Sequence, residues 1–184
     1  AGSVLHTLKA PGMWRVLATG SLVVTGIELY QFYLPVYGHA IGLSASAIGT
    51  ILAVLAIAIF AIRGVIPFLV KKLSEAQILS YSVYIAAFAL MLLPFFVNPY
   101  AIAVIAFLIG LGVGCATPIA MSLIYVLTPR DRIAECMGLR KTLNQSMHLV
   151  IPLVFGGVSA ALGLTAVVIS SSAVLAVGGF LMRK

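Results

Sequence analysis

The sequence predicts an all-α protein that crosses a membrane several times, and three observations carry this prediction. The 184-residue chain is 62% hydrophobic and only 8% charged, with a mean hydropathy of +1.20. Soluble domains are about half apolar and about a quarter charged, so this composition excludes a water-soluble globule. The apolar residues form long continuous runs, which excludes the short alternating strands of a membrane β-barrel. The two cysteines are too few for a disulfide-stapled secreted domain.

Six membrane spans are predicted, because a helix needs about 20 apolar residues to cross the hydrocarbon core. The spans cover about residues 14–38, 44–70, 76–97, 100–127, 134–162 and 164–182. In order along the chain, helix-breaking residues mark the connections at Gly38 and Gly42, Ser74, Asn98-Pro99, Thr128-Pro129 and Gly163. Residues 1–13 are too polar for a signal peptide and are predicted to be a cytoplasmic tail or linker.

The basic residues predict the orientation of these spans. Ten of the eleven lysines and arginines lie at alternate connections or near the termini, which six spans bring to one side of the membrane. The fourth connection is the richest, with Arg130, Arg132, Arg140 and Lys141 around it. By the positive-inside rule this side is cytoplasmic and both termini lie there. The orientation of the spans therefore explains the net charge of +7, and the sequence contains no motif that would instead indicate nucleic-acid binding.

Polar residues inside spans are costly in lipid, so they are the candidates for function. Glu28 lies 13 residues after Arg15, about 20 Å along the first helix and near the middle of the bilayer. Gln31 follows on the same face. An ionised carboxylate at this depth needs a cation, water or a proton, so Glu28 is predicted to be a protonatable or substrate-contacting site. The alternative is a structural carboxyl that is protonated or hydrogen-bonded to a neighbouring helix.

The fifth span holds the densest set of polar residues, among which Asn144 and His148 share a face with Arg140 one turn below. Histidine titrates near neutral pH, which suits a proton-coupled step. These residues are predicted to line a cavity, and the alternative is a polar cluster that joins helices. Arg63 lies about 12 Å deeper than Lys71. It either snorkels to the interface or faces the bundle interior, where it pairs with an acid or an anionic substrate.

Glycines and prolines predict where helices pack closely or bend. Gly110 and Gly114 form a small-xxx-small pair in the fourth span, and Pro118 bends that helix. Gly156 has a similar packing role late in the fifth span. The third and sixth spans have little polarity at mid-depth and are predicted to face lipid, whereas the other four surround a cavity. The sequence contains no HExxH, GxSxG, P-loop or CxxC motif, so no enzymatic activity, cofactor or metal site is predicted.

Two stretches of the sequence carry a resemblance to a known family. The first, GLGVGCATPIAMSLIYVLTPRDRIAECMGLRKTLNQSMHLVIPLVFGG, runs from the fourth span into the fifth. It resembles the tenth helix, basic loop and eleventh helix of major facilitator superfamily transporters, with Pro152 and Gly156-Gly157 as the closing Pro-then-Gly segment. The second, RGVIPFLVKKLSEAQIL, is similar to their loop motif G-x-L-x-D-R-x-G-R-R in degenerate form. Lys71 stands there in place of the aspartate.

The resemblance implies the C-terminal six-helix half of such a transporter, built as two inverted three-helix repeats. It implies a solute site at the midplane and alternating access by rocking of one half against the other. The second half is then a missing N-terminal portion, a separate chain or a second copy. The implied function is secondary, proton-coupled transport of a small organic solute across a bacterial plasma membrane. The residues assigned to the substrate and proton pathway are Glu28, Gln31, Arg63, Asn144 and His148.

Two alternatives stay open at this point. A non-transporting membrane module, such as a partner subunit, a sensor or a scaffold, is favoured slightly by the degenerate loop motif. A channel needs a continuous polar lining and predicts conductance rather than saturable flux. The chain begins at Ala1 rather than Met, so it is also expected to be a piece of a longer protein.

Overall fold

The computed structural model describes residues 13–162, and the regular structure within this range is helical throughout. The five α-helices are α1 (Met13–Ala40), α2 (Ala45–Leu69), α3 (Glu75–Leu92), α4 (Pro99–Leu127) and α5 (Ile133–Leu162). Short 3-10 helices, Leu93–Phe95 and Arg130–Arg132, follow α3 and precede α5. These helices overlap the first five predicted spans. The sixth predicted span, at 164–182, and residues 1–12 of the predicted tail lie outside the described residues.

Local sequence signals set the helix boundaries. The side chains of Ser44 and Asn98 accept hydrogen bonds from backbone N–H groups in the first turns of α2 and α4. At the start of α3, the Ser74 hydroxyl accepts from the Gln77 N–H at 3.3 Å, and Gln77 Oε1 accepts from the Ser74 N–H at 3.1 Å. This reciprocal capping box satisfies two backbone donors that a helix start otherwise leaves unpaired. Gly42 turns the chain between α1 and α2 with φ +82°, a conformation that glycine adopts without strain.

Ser74→Ala removes one half of this capping box. We expect the substitution to lower the free energy of unfolding by about 0.5–2 kcal/mol, the usual cost of losing a serine cap. The measurement is the midpoint of thermal unfolding in detergent. Lys72→Ala, at an exposed position in the same connection, is the matched control. Equal midpoints for the two variants would show that the box does not stabilise α3.

Helix α4 lies at the centre of the described bundle, where it packs on α2 along one side and on α3 along the other. Consecutive helices alternate in direction, so α2 runs parallel to α4 and α3 runs antiparallel to it. Helix α1 packs on both α4 and α5. The buried β-branched side chains of α4 are Ile102, Ile105, Ile109, Val113, Ile119 and Ile124.

Glycines on two faces of α4 allow its neighbours to approach closely. A Cβ added at Gly110 would lie 2.6 Å from the Cβ of Ala58, and one added at Gly114 would lie 2.5 Å from Cγ2 of Ile62, both on α2. On the other face, a Cβ at Gly112 would lie 2.5 Å from a backbone carbonyl oxygen of α3. Gly110 and Gly114 therefore lie where α4 approaches α2 closely. Gly112 is the equivalent residue toward α3.

The remaining predicted kink and packing residues lie within helices. Pro118 is inside α4, which continues on both sides of it. Pro152 and Gly156 fall inside the bounds of α5, but the structure does not describe their surroundings. Their packing roles therefore stay predictions.

Three described segments are long and apolar enough to cross a membrane, namely Ala45–Leu69, Glu75–Phe95 and Pro99–Val126. The outer face of α3 is also apolar, since it exposes Tyr81, Ile85, Phe88 and Met91. Residues at this helical spacing form a continuous stripe, and a stripe of this kind is suited to lipid or to another protein. The lipid-facing position of the third span stays a prediction. The arrangement of six helices as two repeats stays a prediction, because the sixth lies outside the described residues.

Candidate functional site

Glu28 and His148 meet at a contact between α1 and α5. Oε2 of Glu28 lies 3.0 Å from Nδ1 of His148, and both side chains are partly exposed. Each residue lies fifteen positions after the first residue of its helix, Met13 or Ile133, which is about 22 Å along the helix axis. The contact is therefore at the same depth on two helices that run in the same direction. At 3.0 Å the two atoms are within hydrogen-bonding distance of each other.

A second polar contact joins the same two helices nearer their N-termini. The Ser21 hydroxyl donates to Oδ1 of Asn144 at 3.5 Å. Ser21 is buried on α1, and Asn144 is half-buried on α5. We call the four residues Ser21, Glu28, Asn144 and His148 the polar seam. It joins α1 to α5 through hydrogen-bonding groups, whereas α2, α3 and α4 contact each other mainly through apolar side chains and glycines.

A cavity of about 340 Å³ lies beside the polar seam. The residues that line it come from α4 and α5 and are Thr117, Met121, Met137, Arg140, Lys141, Asn144, Gln145 and His148. This described lining includes two basic side chains, Arg140 and Lys141, and no carboxylate. The volume is at the small end of the range for small-molecule sites, which is about 300–1,000 Å³. The cavity therefore has the size of a small-molecule site and a lining that combines charged, polar and apolar side chains.

Arg140 is a residue of this cavity that the predicted substrate and proton pathway does not include. The charge pattern also groups it with the basic residues of the fourth connection, yet in the structure it is only 5% exposed. Its Nε atom lies close to Gly20 of α1, since a Cβ added at that glycine would be 4.0 Å away, which is an ordinary van der Waals distance. The signal that identifies it is spacing, because Arg140, Asn144 and His148 recur at four-residue intervals on one face of a helix.

Two other residues of the predicted pathway lie away from this cavity. Gln31 is exposed on α1, one turn beyond Glu28. Arg63 is exposed on α2, and its guanidinium carbon lies 5.8 Å from the centroid of the Phe60 ring. Contacts of this kind between a cation and a ring are weakly attractive at exposed positions. Neither residue is among those that line the cavity. Glu28 does not line it either, but it contacts His148, which does.

Comparison with known proteins places this geometry in context. The sequence profile of the Major Facilitator Superfamily matches residues 2–152 of the chain. The matched range includes α1 to α4, most of α5, and every residue of the polar seam and of the cavity. No curated protein matches the chain.

Proposed function

The chain belongs to the Major Facilitator Superfamily, a family of membrane transporters, and on that premise we propose that it carries out proton-coupled transport of a small organic solute. The observation that carries the proposal is the contact between Glu28 and His148 beside a cavity that is lined by both polar and apolar side chains. Ionisable residues inside membrane spans are rare, and they mark substrate and proton pathways. A carboxylate in contact with a histidine supplies two groups that exchange a proton.

The contact also provides a way to couple protonation to movement. A proton that binds at the pair either neutralises Glu28 or charges His148, and each change alters the attraction between α1 and α5. A bound ligand shifts a conformational equilibrium when its affinity differs between the two states. We propose that the proton binds more tightly in one state of access, and that the cavity alternates between the two sides of the membrane as α1 and α5 move.

The exposed face of α5 supports a second half of the carrier. Lys141, Thr142, Gln145 and Ser146 are all exposed and lie within a predicted span. Polar side chains at this depth require water or a protein neighbour rather than lipid. We propose that this chain is the C-terminal half and that the solute binds between two halves in a bacterial plasma membrane, with both termini cytoplasmic. The other half is an N-terminal portion, a separate chain or a second copy.

Transport is tested with the full-length protein in liposomes that contain a pH-sensitive dye. Solutes are added outside in classes, namely organic acids, sugars, amino acids and amines, and the lumen pH is followed. We expect one class to change the lumen pH with a rate that saturates with solute concentration. Protein-free liposomes are the control, because they report passive permeation of weak acids and bases. The absence of any saturable, protein-dependent change would contradict proton-coupled transport.

A non-transporting membrane module is the second candidate, and one sequence feature favours it. Lys71 stands where the family's loop motif has an aspartate, so this loop has lost the acid of that motif. A module of this kind would bind a partner protein without moving solute. Purification as a stable complex with another protein, together with no saturable flux, would support this candidate over transport.

A further inference from the structure

The buried arginine of the cavity indicates the chemical class of its ligand. Building on the proposed transport function, we infer that the cavity binds an organic anion and that Arg140 holds the carboxylate or phosphate group of that anion. The inference comes from the burial of Arg140, from the absence of a hydrogen-bond partner for its Nε among residues 13–162, and from the composition of the cavity around it.

Arg140 is a buried cation without a counterion among the described residues. Its side chain is 5% exposed, and its Nε has no hydrogen-bond partner. An arginine stays protonated in proteins, so the burial cost cannot be avoided by losing the proton. A buried charge is stable only when an opposite charge or several hydrogen bonds compensate for it. Because no described carboxylate forms an ion pair with Arg140, the compensating charge is expected from a bound ligand.

Glu28 does not supply this charge. It contacts His148, which lies eight residues beyond Arg140 on α5, or about 12 Å along the helix. The proton site at Glu28 and His148 and the cationic site at Arg140 therefore lie at two separate positions along α5. This separation allows an anion and a proton to be bound at the same time.

The rest of the cavity suits an anion that also carries an apolar body. The guanidinium of Arg140 presents donors in a planar fork that matches the paired oxygens of a carboxylate or phosphate. Lys141 adds a second positive charge, and the amide of Asn144 adds a donor. Met121 and Met137 supply flexible apolar walls that adapt to the shape of an organic skeleton.

The test uses four probes built on one benzene ring, so that the charged group is the variable. They are benzoate, phenyl phosphate, the neutral benzamide and the cationic benzylamine. Binding to the full-length protein in a neutral detergent is measured by calorimetry. We expect benzoate or phenyl phosphate to bind and the other two not to bind, and the stronger anion distinguishes a carboxylate site from a phosphate site.

Substitutions then locate the binding on Arg140. Arg140→Gln is expected to weaken binding of the anion by about 10- to 100-fold, the usual effect of losing a hydrogen bond to a charged group. Arg140→Lys keeps the charge without the fork and should recover part of the affinity. Arg130→Gln, at an exposed arginine outside the cavity lining, is the matched control and should bind as the wild type does.

A measurement without ligand separates a binding role from a structural one. Because Arg140→Gln removes an uncompensated buried charge, the ligand-free variant should unfold at a higher temperature than the wild type. If Arg140 instead holds helices together, the variant unfolds at a lower temperature and keeps its affinity for the anion. That result would overturn the inference.

Three further results would also overturn it: equal binding of benzoate and benzamide, no binding of either anion, or unchanged anion affinity in Arg140→Gln.

A lipid headgroup is distinguished with nanodiscs of phosphatidylcholine with and without phosphatidylglycerol. Stabilisation by phosphatidylglycerol that the soluble anions do not reproduce would assign Arg140 to lipid. Anion binding through Arg140 without solute-driven changes in lumen pH would leave this inference intact and contradict transport. Solute-driven changes in lumen pH without anion binding through Arg140 would contradict this inference and leave the proposed transport intact.

Discussion

Glu28→Gln is expected to abolish proton-driven transport while solute binding and exchange persist. Glutamine has nearly the size of glutamate and still offers an acceptor and donors to His148, but it cannot take up a proton. Because Oε2 of Glu28 lies 3.0 Å from Nδ1 of His148, the substitution preserves the contact and removes its protonatable partner. The expected loss of proton-coupled flux is on the order of 100-fold or more, as is usual when a positioned proton-transfer group is removed.

The measurement compares two activities of the same liposomes. Solute-driven change in lumen pH reports proton coupling, and solute counterflow at equal pH reports exchange. Glu135→Gln is the matched control, since it also removes a carboxyl group, here from an exposed position in the first turn of α5. Net transport that keeps its full pH dependence in Glu28→Gln would disprove the assignment of Glu28.

The double variant Glu28→Gln with His148→Gln tests whether the two residues act as one unit. Groups in direct contact give effects that do not add, whereas distant and independent groups give effects that do. We therefore expect proton-coupled flux in the double variant to be no lower than in Glu28→Gln alone. Additive losses would mean that His148 acts on the proton through a separate path.

Gly110→Leu is expected to prevent the close packing of α4 on α2 and to destabilise the folded protein strongly. A Cβ at this position would already lie 2.6 Å from both the Cβ of Ala58 and the carbonyl oxygen of Leu55. Leucine adds three more carbon atoms, and a helix backbone cannot move aside as a flexible side chain does. Overpacking of a core destabilises a protein by about 1–3 kcal/mol, and we expect a clash with backbone to cost as much as the upper value or more. That is a large part of a domain stability of about 5–15 kcal/mol.

This prediction is measured by the yield of monodisperse protein in detergent and by its unfolding temperature. Gly138→Leu on α5 is the matched control, because a Cβ there has no neighbour within 4 Å among the described residues. Gly110→Ala should give an intermediate loss, since it adds only the first of the clashing atoms. If Gly110→Leu is as monodisperse and as stable as Gly138→Leu, then α4 does not pack on α2 through this glycine.

The helices and their boundaries follow from signals that act over a few residues. A long apolar run makes a helix the stable form of the backbone in lipid, because only a helix satisfies its own hydrogen bonds there. Ser74 and Asn98 begin helices because their side chains accept the backbone N–H groups that no helix residue can accept. The spacing of Gly110 and Gly114 is equally local, since residues four apart lie on one face.

The candidate site depends on both local and distant relations. Polarity inside apolar runs is visible in the sequence and identifies Glu28, Asn144 and His148 as candidates. Their partners are not visible, because Ser21 and Asn144 are 123 positions apart and meet only where α1 packs on α5. Helical periodicity assigns Gln31 to the face of Glu28, but it does not show that Gln31 is exposed and away from the cavity.

The sequence by itself determined that this is a helical membrane protein, where its helices begin and end, and which faces carry polar groups. Only the tertiary structure decided which of those faces meet. Arg140 shows the physical reason, because a basic residue near a helix start is solvated or buried according to what covers it. Here α1 covers it, with Gly20 close to its guanidinium, and Arg140 becomes a buried cation in the cavity wall. The sequence determines the charge and the spacing of the residues, whereas their burial depends on how one helix packs on another.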